Sequence, residues 1–380
     1  MAGHNRLIRA LALLVLGLSI FVAPVSASWA NPLEHFYSSY NHGLQEIIHN
    51  NCSETYALYL QDRRNAANIR PSLRVFGMRS MTSEMLECIL ENSPEIIKYK
   101  MAAAAIVLGL APTIIATLGV RPQDTAALSI IGRRHLLAFG VAVGSPALNA
   151  YRASEYTSVI DTLREKSHRR PDFIRRLDPI ITAISYALAG ASIANVGELT
   201  YRLGAGSIFT VLVDSEYLAL LWAFLGVFIH FMTGVALRMR ASSVVKTVEE
   251  VAQGSWPVSV ARGQMDIMAR RSKIFFRVHS ESLLFSIMAL ITTIFTACHV
   301  IFGTLVFSSI LFVSINDSLS VAARLMASAI ICRIIVTYEL LVLRESIEEV
   351  IDPRVVSDGS AESGLLKGTG TGYLGGATTT

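Results

Sequence analysis

Long apolar runs, separated by charged stretches, dominate the larger, C-terminal part of the chain. Four of these runs, 101–119, 179–197, 217–237 and 319–343, have about 20 residues each, the length that a helix needs to cross a bilayer. A helix satisfies all of its backbone hydrogen bonds within its own segment, as lipid requires. The pattern therefore predicts an all-α, polytopic transmembrane helix bundle over residues 101–345.

Two further apolar runs have lengths that do not match one crossing. Residues 135–149 are short and contain Gly-Ser-Pro near their end, whereas 283–315 contain no Lys, Arg, Asp or Glu at all. The second run would form a helix of about 50 Å, too long for one crossing of about 30 Å and too short for two. We therefore divide it near Gly303 into a span, 283–302, and a half-length piece, 304–315. The bundle is expected to have five or six spans, with one or two broken or re-entrant segments.

The N-terminus has the pattern of a secretory signal peptide. Basic residues precede an apolar stretch and a Val-Ser-Ala cleavage site, which assigns 1–27 to the signal. An uncleaved signal anchor is the alternative, and either reading places 28–100 in the lumen or outside the cell. In that oxidising compartment, Cys52 and Cys88 are expected to form one disulfide. Asn51 begins a glycosylation sequon, although early oxidation of Cys52 would compete with the glycan.

The composition favours the same class of protein. The chain is 52% hydrophobic and 16% charged, whereas a soluble domain carries about 25% charged residues. The net charge is only +4, and no basic stripe is interleaved with aromatic residues, so no nucleic-acid partner is expected. The chain lacks HExxH, Walker, kinase and GxSxG patterns. We therefore expect no metal, no other cofactor and no familiar catalytic site, while an enzyme with an unfamiliar site stays an alternative. The Gly/Ser/Thr-rich tail, 346–380, is predicted to be disordered.

The charged loops bear on the orientation of the bundle. Loops 151–178 and 238–280 hold 15 of the 33 Lys and Arg residues, and the positive-inside rule places such loops in the cytosol. Two full crossings over 101–149 would return both loops to the lumenal side. A re-entrant 135–149 segment resolves the conflict; the alternative is that the rule fails here. The basic region 238–280 also fits contact with an anionic leaflet, in the plasma membrane or an endomembrane of the secretory pathway; a solvated loop helix is the alternative.

Arg333 lies near the middle of the last apolar run. A charged group at the bilayer centre costs about 2.5–3.5 kcal/mol on insertion scales, and it normally faces protein or a water-filled cavity. No acidic residue lies three or four positions from it, where a partner on its own helix would be found. We therefore expect it to contact another helix inside the bundle, either as a structural ion pair or backbone-carbonyl anchor, or as a contact for a substrate or ion. Candidate partners are Glu198, Glu281, His230 and His299.

The other polar residues of the spans also allow two interpretations. Arg324 and Glu339 share the last span with Arg333 but lie on other faces of the helix. His230 and His299 each interrupt an apolar run. Such histidines either form hydrogen bonds between helices or relay protons.

Small residues within the spans indicate close helix packing. Gly140 and Gly144 are four positions apart, a spacing that lets helix backbones approach, either within the bundle or in a homo-oligomer. Cys298 and Cys332 lie in apolar runs and are interpreted as small buried residues.

Several phrases of the sequence are similar to those of a known group of proteins. They are NCSETYALYLQDRR, LECILEN, MAAAAIVLGLAPTIIATLG, IIGRRHLLAFGVAVGSPA, HVIFGTLVFSS and ASAIICRIIVTYEL. From about residue 50 to 345 the chain resembles multi-spanning integral membrane proteins of filamentous fungi that have no assigned activity. The resemblance implies a membrane protein with a cysteine-containing exoplasmic N-terminal region, and it carries no functional residues. Where the group often has Pro after the paired arginines, this chain has His135.

The sequence is compatible with two functions. A transporter, channel or sensor-like protein with a polar site around Arg333 is favoured by the interrupted segments 135–149 and 304–315, because broken helices often line transport sites. A structural or scaffold protein that recruits partners through its basic loops and tail is favoured because the spans carry no acidic cluster or proton chain. The second function is the preferred interpretation.

Overall fold

The computed structural model describes residues 33–37, 39–63, 69–75, 77–78, 80–146, 148, 171–245, 274–278 and 282–346. The predicted signal peptide, the predicted tail after Ser346 and most of the two basic loops lie outside these residues.

The described ranges form eleven helices and four short strands. The helices are α1 (Asn41–Asn51), α2 (Ser53–Gln61), α3 (Pro71–Val75), α4 (Met81–Glu91), α5 (Glu95–Leu118), α6 (Pro122–Ile130), α7 (His135–Gly144), α8 (Asp172–Gly206), α9 (Leu218–Arg240), α10 (Leu283–Ser308) and α11 (Ile315–Ser346). The strands are β1 (Ile208–Phe209), β2 (Ala241–Val245), β3 (Ile274–Val278) and β4 (Ile310–Leu311).

Five of these helices are long and apolar enough to cross a membrane: α5, α9, α10 and most of α8 and α11. Their outward faces carry large apolar side chains rather than charges. Ile106 and Leu110 on α5, Ile184 on α8 and Leu290 and Ile294 on α10 are all exposed. Lipid tails are as apolar as these side chains and can cover them. The all-α, polytopic bundle is thus confirmed, and the protein is an integral membrane protein whose outer faces contact the bilayer.

The predicted break at Gly303 is wrong. Helix α10 runs without interruption from Leu283 to Ser308, so 304–315 does not form a separate half-length piece. The chain then turns through β4, which pairs with β1 in antiparallel register. A side chain at position 303 would collide with Trp222 and Pro112. The glycine therefore allows three helices to approach one another, and it does not interrupt its own.

The broken span is instead the first one. Ser308, at the end of α10, packs directly on Gly109 of α5. From Gly109, α5 continues for only about 13 Å to Leu118, whereas α10 extends for about 38 Å from Ser308 to Leu283. Helix α5 therefore ends partway through the bundle, and α6 continues toward the other side after a three-residue interruption.

Helices α6 and α7 form a hairpin that returns to the depth at which it began. The backbone N–H of Val120, before α6, donates to the Ser145 hydroxyl, after α7, at 3.4 Å. Helix α7 has 10 residues, which span about 15 Å, half of the hydrocarbon core. This geometry agrees with the re-entrant interpretation of 135–149.

Small residues allow the hairpin to pack closely against α8 and α11. A Cβ atom at Gly144 would lie 2.8 Å from the Ser192 Cβ on α8 and 3.0 Å from the Cys332 sulfur on α11. Gly140 faces Ala189 of α8. The small residues thus serve packing within the bundle. Cys332 is buried as expected, but the same expectation for Cys298 is wrong, because Cys298 is exposed on α10.

Helices α1 to α4, here called the cap, pack at one end of the bundle. Their shared core includes Leu44, Ile48, Met85 and Ile89, and it reaches Phe312 in the connection after β4. At the other end of the bundle, β2 and β3 extend α9 and precede α10 as an antiparallel ribbon. These two ends are called the cap end and the ribbon end below.

Ionic contacts join the cap to the connection before α9. Arg63 pairs with Glu216, and its Nε lies 3.7 Å from Asp214. The Thr82 hydroxyl donates to the same Asp214 carboxylate at 2.7 Å. The Arg63 guanidinium also lies 5.9 Å from the ring centre of Tyr59. Burial raises the pKa of the Tyr59 hydroxyl to about 12, so this ring is neutral at physiological pH.

The predicted disulfide is present. Cys52, between α1 and α2, is bonded to Cys88 on α4 across a Cα–Cα distance of 6.1 Å. Asn51 is exposed next to it, and its side-chain amide donates to Asn92 at 3.1 Å.

Removing this bond is expected to destabilise the cap. Closing a loop across a separation of 36 residues restrains the unfolded chain by an amount worth about 3–4 kcal/mol. Cys88→Ser should therefore lower the unfolding temperature of the cap in detergent, measured with a reporter placed in the cap, while Cys298→Ser should leave it unchanged. Recovery of Cys52 and Cys88 as free, alkylatable thiols from the unreduced wild-type protein would contradict the assignment.

Candidate functional site

The side chain of Arg333, on α11, lies beside the end of α5. Its Nη1 atom donates to the carbonyl oxygens of Thr117, Leu118 and Gly119 at 3.3, 3.5 and 3.1 Å. The last carbonyls of a helix have no donor within the helix, and they carry the negative end of its dipole. Lipid offers no water to replace that donor. The guanidinium therefore satisfies the open end of α5.

This contact is the backbone-carbonyl anchor on another helix that the sequence offered as one interpretation of Arg333. The named candidate partners are wrong, because none of Glu198, His230 and His299 contacts the guanidinium. Glu281 lies outside the described residues. The side chain is also exposed on the surface of the bundle instead of enclosed within it. The sequence could not suggest this partner, because an apolar run does not reveal that its helix ends inside the bundle.

Glu339 forms a buried ion pair with Arg134, at the start of α7. The Arg134 Nη1 and Glu339 Oε1 atoms are 2.9 Å apart, and the two side chains are only 10% and 2% exposed. On the preceding position of α11, the Tyr338 hydroxyl donates to Asp178 of α8 at 2.7 Å. Adjacent residues of α11 thus hold the tip of the hairpin and the beginning of α8.

Arg324 belongs to a separate network on the outer surface of α8 and α11. Its guanidinium pairs with Glu198, and its Nε donates to the Asn195 side chain at 2.8 Å. The Asn195 amide in turn donates to the Arg324 carbonyl and to the Ser328 hydroxyl, at 3.0 and 2.8 Å. Glu198 also pairs with Arg202, 2.8 Å away. Sequence reasoning missed Asn195, since a single amide in an apolar run carries no distinctive pattern.

The two histidines tie the hairpin to α9 and α10. The His230 Nδ1 atom lies 2.7 Å from the Thr125 hydroxyl of α6. The His299 Nε2 atom lies 3.0 Å from the Pro146 carbonyl, and because a carbonyl only accepts, this nitrogen carries the proton. The His299 ring is stacked on Trp222 with 5.4 Å between ring centres. Both histidines therefore connect separate segments, as the packing interpretation predicts.

An apolar groove of about 860 Å³ opens on the side of the bundle between the hairpin and α9. Its lining is almost entirely apolar. The residues are Thr125, Ala126, Ser129, Ile130, His135, Ala138, Phe139, Ala142, Phe224, Val227, Phe228, His230, Phe231, Gly234, Val235 and Arg238. Within the part of the chain that the structure describes, no group of three His, Cys, Asp or Glu side chains could hold a metal ion.

Comparisons with known proteins identify no relative. No family model, no curated protein and no solved structure matches the chain. The resemblance to membrane proteins of filamentous fungi is therefore a prediction from the sequence phrases alone, and a functional proposal must rest on the geometry of the bundle.

Substituting Arg333 tests its role at the end of α5. Arg333→Leu removes the donor of three carbonyls, and each unsatisfied group costs about 1–3 kcal/mol when it is shielded from water. Arg333→Lys keeps the charge but loses the planar fork. Unfolding in detergent should therefore show a clear loss of stability for the leucine variant and an intermediate loss for the lysine variant.

Arg202→Leu, on the outer surface of α8, is the matched control for Arg333→Leu. Its side chain is 60% exposed, and an exposed ion pair is worth at most about 1 kcal/mol, so its removal should lower stability far less than Arg333→Leu does. Wild-type stability of both Arg333 variants would show that α5 does not need this donor.

A double-mutant cycle tests the buried pair. Glu339→Leu or Arg134→Met leaves one partner buried without its counter-charge, which costs about 3–5 kcal/mol. The double variant Arg134→Met/Glu339→Leu removes both charges and should recover most of that loss. Additive losses in the denaturation curves of the four proteins would argue against a direct coupling.

Proposed function

We propose that this protein is a membrane scaffold, which displays the cap on one side of the bilayer and its basic loops and tail on the other to recruit partners. The main support for the proposal is that charged side chains of the last span contact other parts of the bundle. Arg333 satisfies the end of α5, Glu339 pairs with Arg134, and Arg324 pairs with Glu198. Because each of these side chains holds helices together, they support a structural role for the bundle rather than catalysis or ion transfer.

The proposal includes an orientation with the cap in the lumen or outside the cell. A disulfide in the cap favours an oxidising compartment. Arg238 and Arg240, at the end of α9, lead into the ribbon, and cationic residues next to a span favour the cytosol. Asn51 would carry its glycan on the cap side, and the region 238–280 would face the anionic leaflet.

A transporter or channel is the second candidate, and one observation favours it. The ends of α5 and α7 meet within the bundle, and discontinuous helices form the substrate sites of many transporters. Such a site would need water or substrate to reach the point where the two ends meet.

Accessibility of position 145 separates the two candidates. Ser145 is fully buried where the helix ends meet, whereas Ser129 lines the groove near its ribbon end. We would place a single free cysteine at either position, in a chain with Cys298→Ala and Cys332→Ala, and treat reconstituted protein with a small charged thiol reagent. A scaffold predicts labelling of Ser129→Cys and none of Ser145→Cys. Fast labelling of Ser145→Cys would favour the transporter and contradict the scaffold.

A further inference from the structure

We propose that the groove between α6, α7 and α9 binds an anionic glycerophospholipid from the leaflet at the ribbon end. In this arrangement an acyl chain lies among the phenylalanines and the phosphate lies at the basic mouth. The inference concerns a lipid site and goes beyond the scaffold function.

The groove is long enough to accept an acyl chain across one leaflet. It extends along α9 from Phe224 to Arg238, about 21 Å at the helical rise, whereas one leaflet of the hydrocarbon core is about 15 Å thick. The volume of 860 Å³ lies within the range of about 300–1,000 Å³ that is usual for ligand sites. Phe139 and Phe231, on opposite walls, are 60% and 47% exposed. The groove is therefore open toward lipid along its side.

The mouth of the groove is cationic. Arg238 is exposed there, and the charges of Arg238 and Arg133 both act on His135, at the start of α7. None of the described residues that line the groove is acidic. An anionic head group would therefore meet attraction without an opposing carboxylate, and each cationic side chain at a membrane surface favours such a lipid.

One buried polar atom within the groove has no partner in the described part of the chain. His230 is only 6% exposed; its Nδ1 atom contacts Thr125, and its Nε2 atom has no hydrogen-bond partner. Arg238 lies two turns beyond His230 on α9, and because helical side chains lean toward the N-terminus of their helix, its side chain leans back toward the groove. The Thr125 hydroxyl donates to the Pro122 carbonyl at 2.9 Å, so the Nδ1–H of His230 donates to Thr125 and Nε2 is an acceptor. Because Nε2 is shielded from the surface, His230 contributes its ring to the inner wall of the groove, and the phosphate of the lipid is held by Arg238.

Photo-crosslinking with defined lipids tests the proposal. The full-length protein is reconstituted in neutral phosphatidylcholine nanodiscs that contain a trace of phosphatidylserine with a photoactivatable diazirine on one acyl chain. A parallel sample contains phosphatidylcholine with the same labelled chain. We expect labelled peptides from α7 and α9, with phosphatidylserine preferred by about five-fold for each arginine that contributes. Arg238→Gln should reduce that preference by about the same factor.

A pair of glycine substitutions supplies the matched control. Gly234 lines the groove and Gly197 lies on the outer face of α8, and a Cβ atom at either position meets nothing within 4 Å. Gly234→Phe should fill the groove and abolish labelling of α7 and α9, whereas Gly197→Phe should leave it unchanged.

Three results would overturn the proposal. Equal labelling by the two lipids would show that the groove does not select an anionic head group. Labelling of α7 and α9 that persists in Gly234→Phe would show that the lipid only covers the outer surface. Absence of label from these helices, with label on other outward faces, would show that the groove is closed to lipid by the chain itself.

Discussion

The contact between Arg333 and the end of α5 is the interaction on which the arrangement of the first span depends. A helix that ends inside a bilayer exposes carbonyl groups that neither water nor lipid can satisfy. One guanidinium provides donors for the carbonyls of Thr117, Leu118 and Gly119. Its positive charge also interacts favourably with the negative end of the helix dipole. With that end satisfied, the chain can change direction at Gly119 and begin a new helix. Pro122 suits that start, because the first position of a helix needs no N–H donor.

The hairpin that follows is held by polar contacts at its tip and near its base, with small or apolar residues between them. At the tip, Arg134 is joined to Glu339. Toward the base, Thr125 contacts His230, and Pro146 accepts from His299. Between these points, α7 presents glycines to α8 and α11 on one side and Phe139 to the groove on the other. A segment half as long as a crossing helix lacks the length to be held by lipid alone, so these contacts must supply its position.

The sequence predicted those features that depend on length and hydrophobicity. Five spans, the short segment at 135–149 and the disulfide follow from apolar run length and from two cysteines in one polar region. The predicted break at Gly303 was wrong. A run without charges does not show whether its glycine interrupts the helix or makes room for a neighbouring side chain, here Trp222. The partner of Glu339 was missed, because Arg134 lies 205 positions away. The sequence allowed a backbone-carbonyl anchor for Arg333, but it could not indicate which helix supplies the carbonyls, because backbone acceptors carry no residue identity.

The broken span also constrains the order in which the bundle can assemble. Helices α8, α9, α10 and α11 satisfy their own backbone groups along their length, so each can be inserted before it meets its neighbours. The end of α5 is different, because its donor belongs to α11. The tip of the hairpin likewise needs Glu339 from α11, and its other contacts need α9 and α10. Because α11 is the last of these helices in the chain, the first span reaches its final structure only after the last one is in place. The first and the last span are therefore coupled. A structural role for Arg333 follows from that coupling without any ligand.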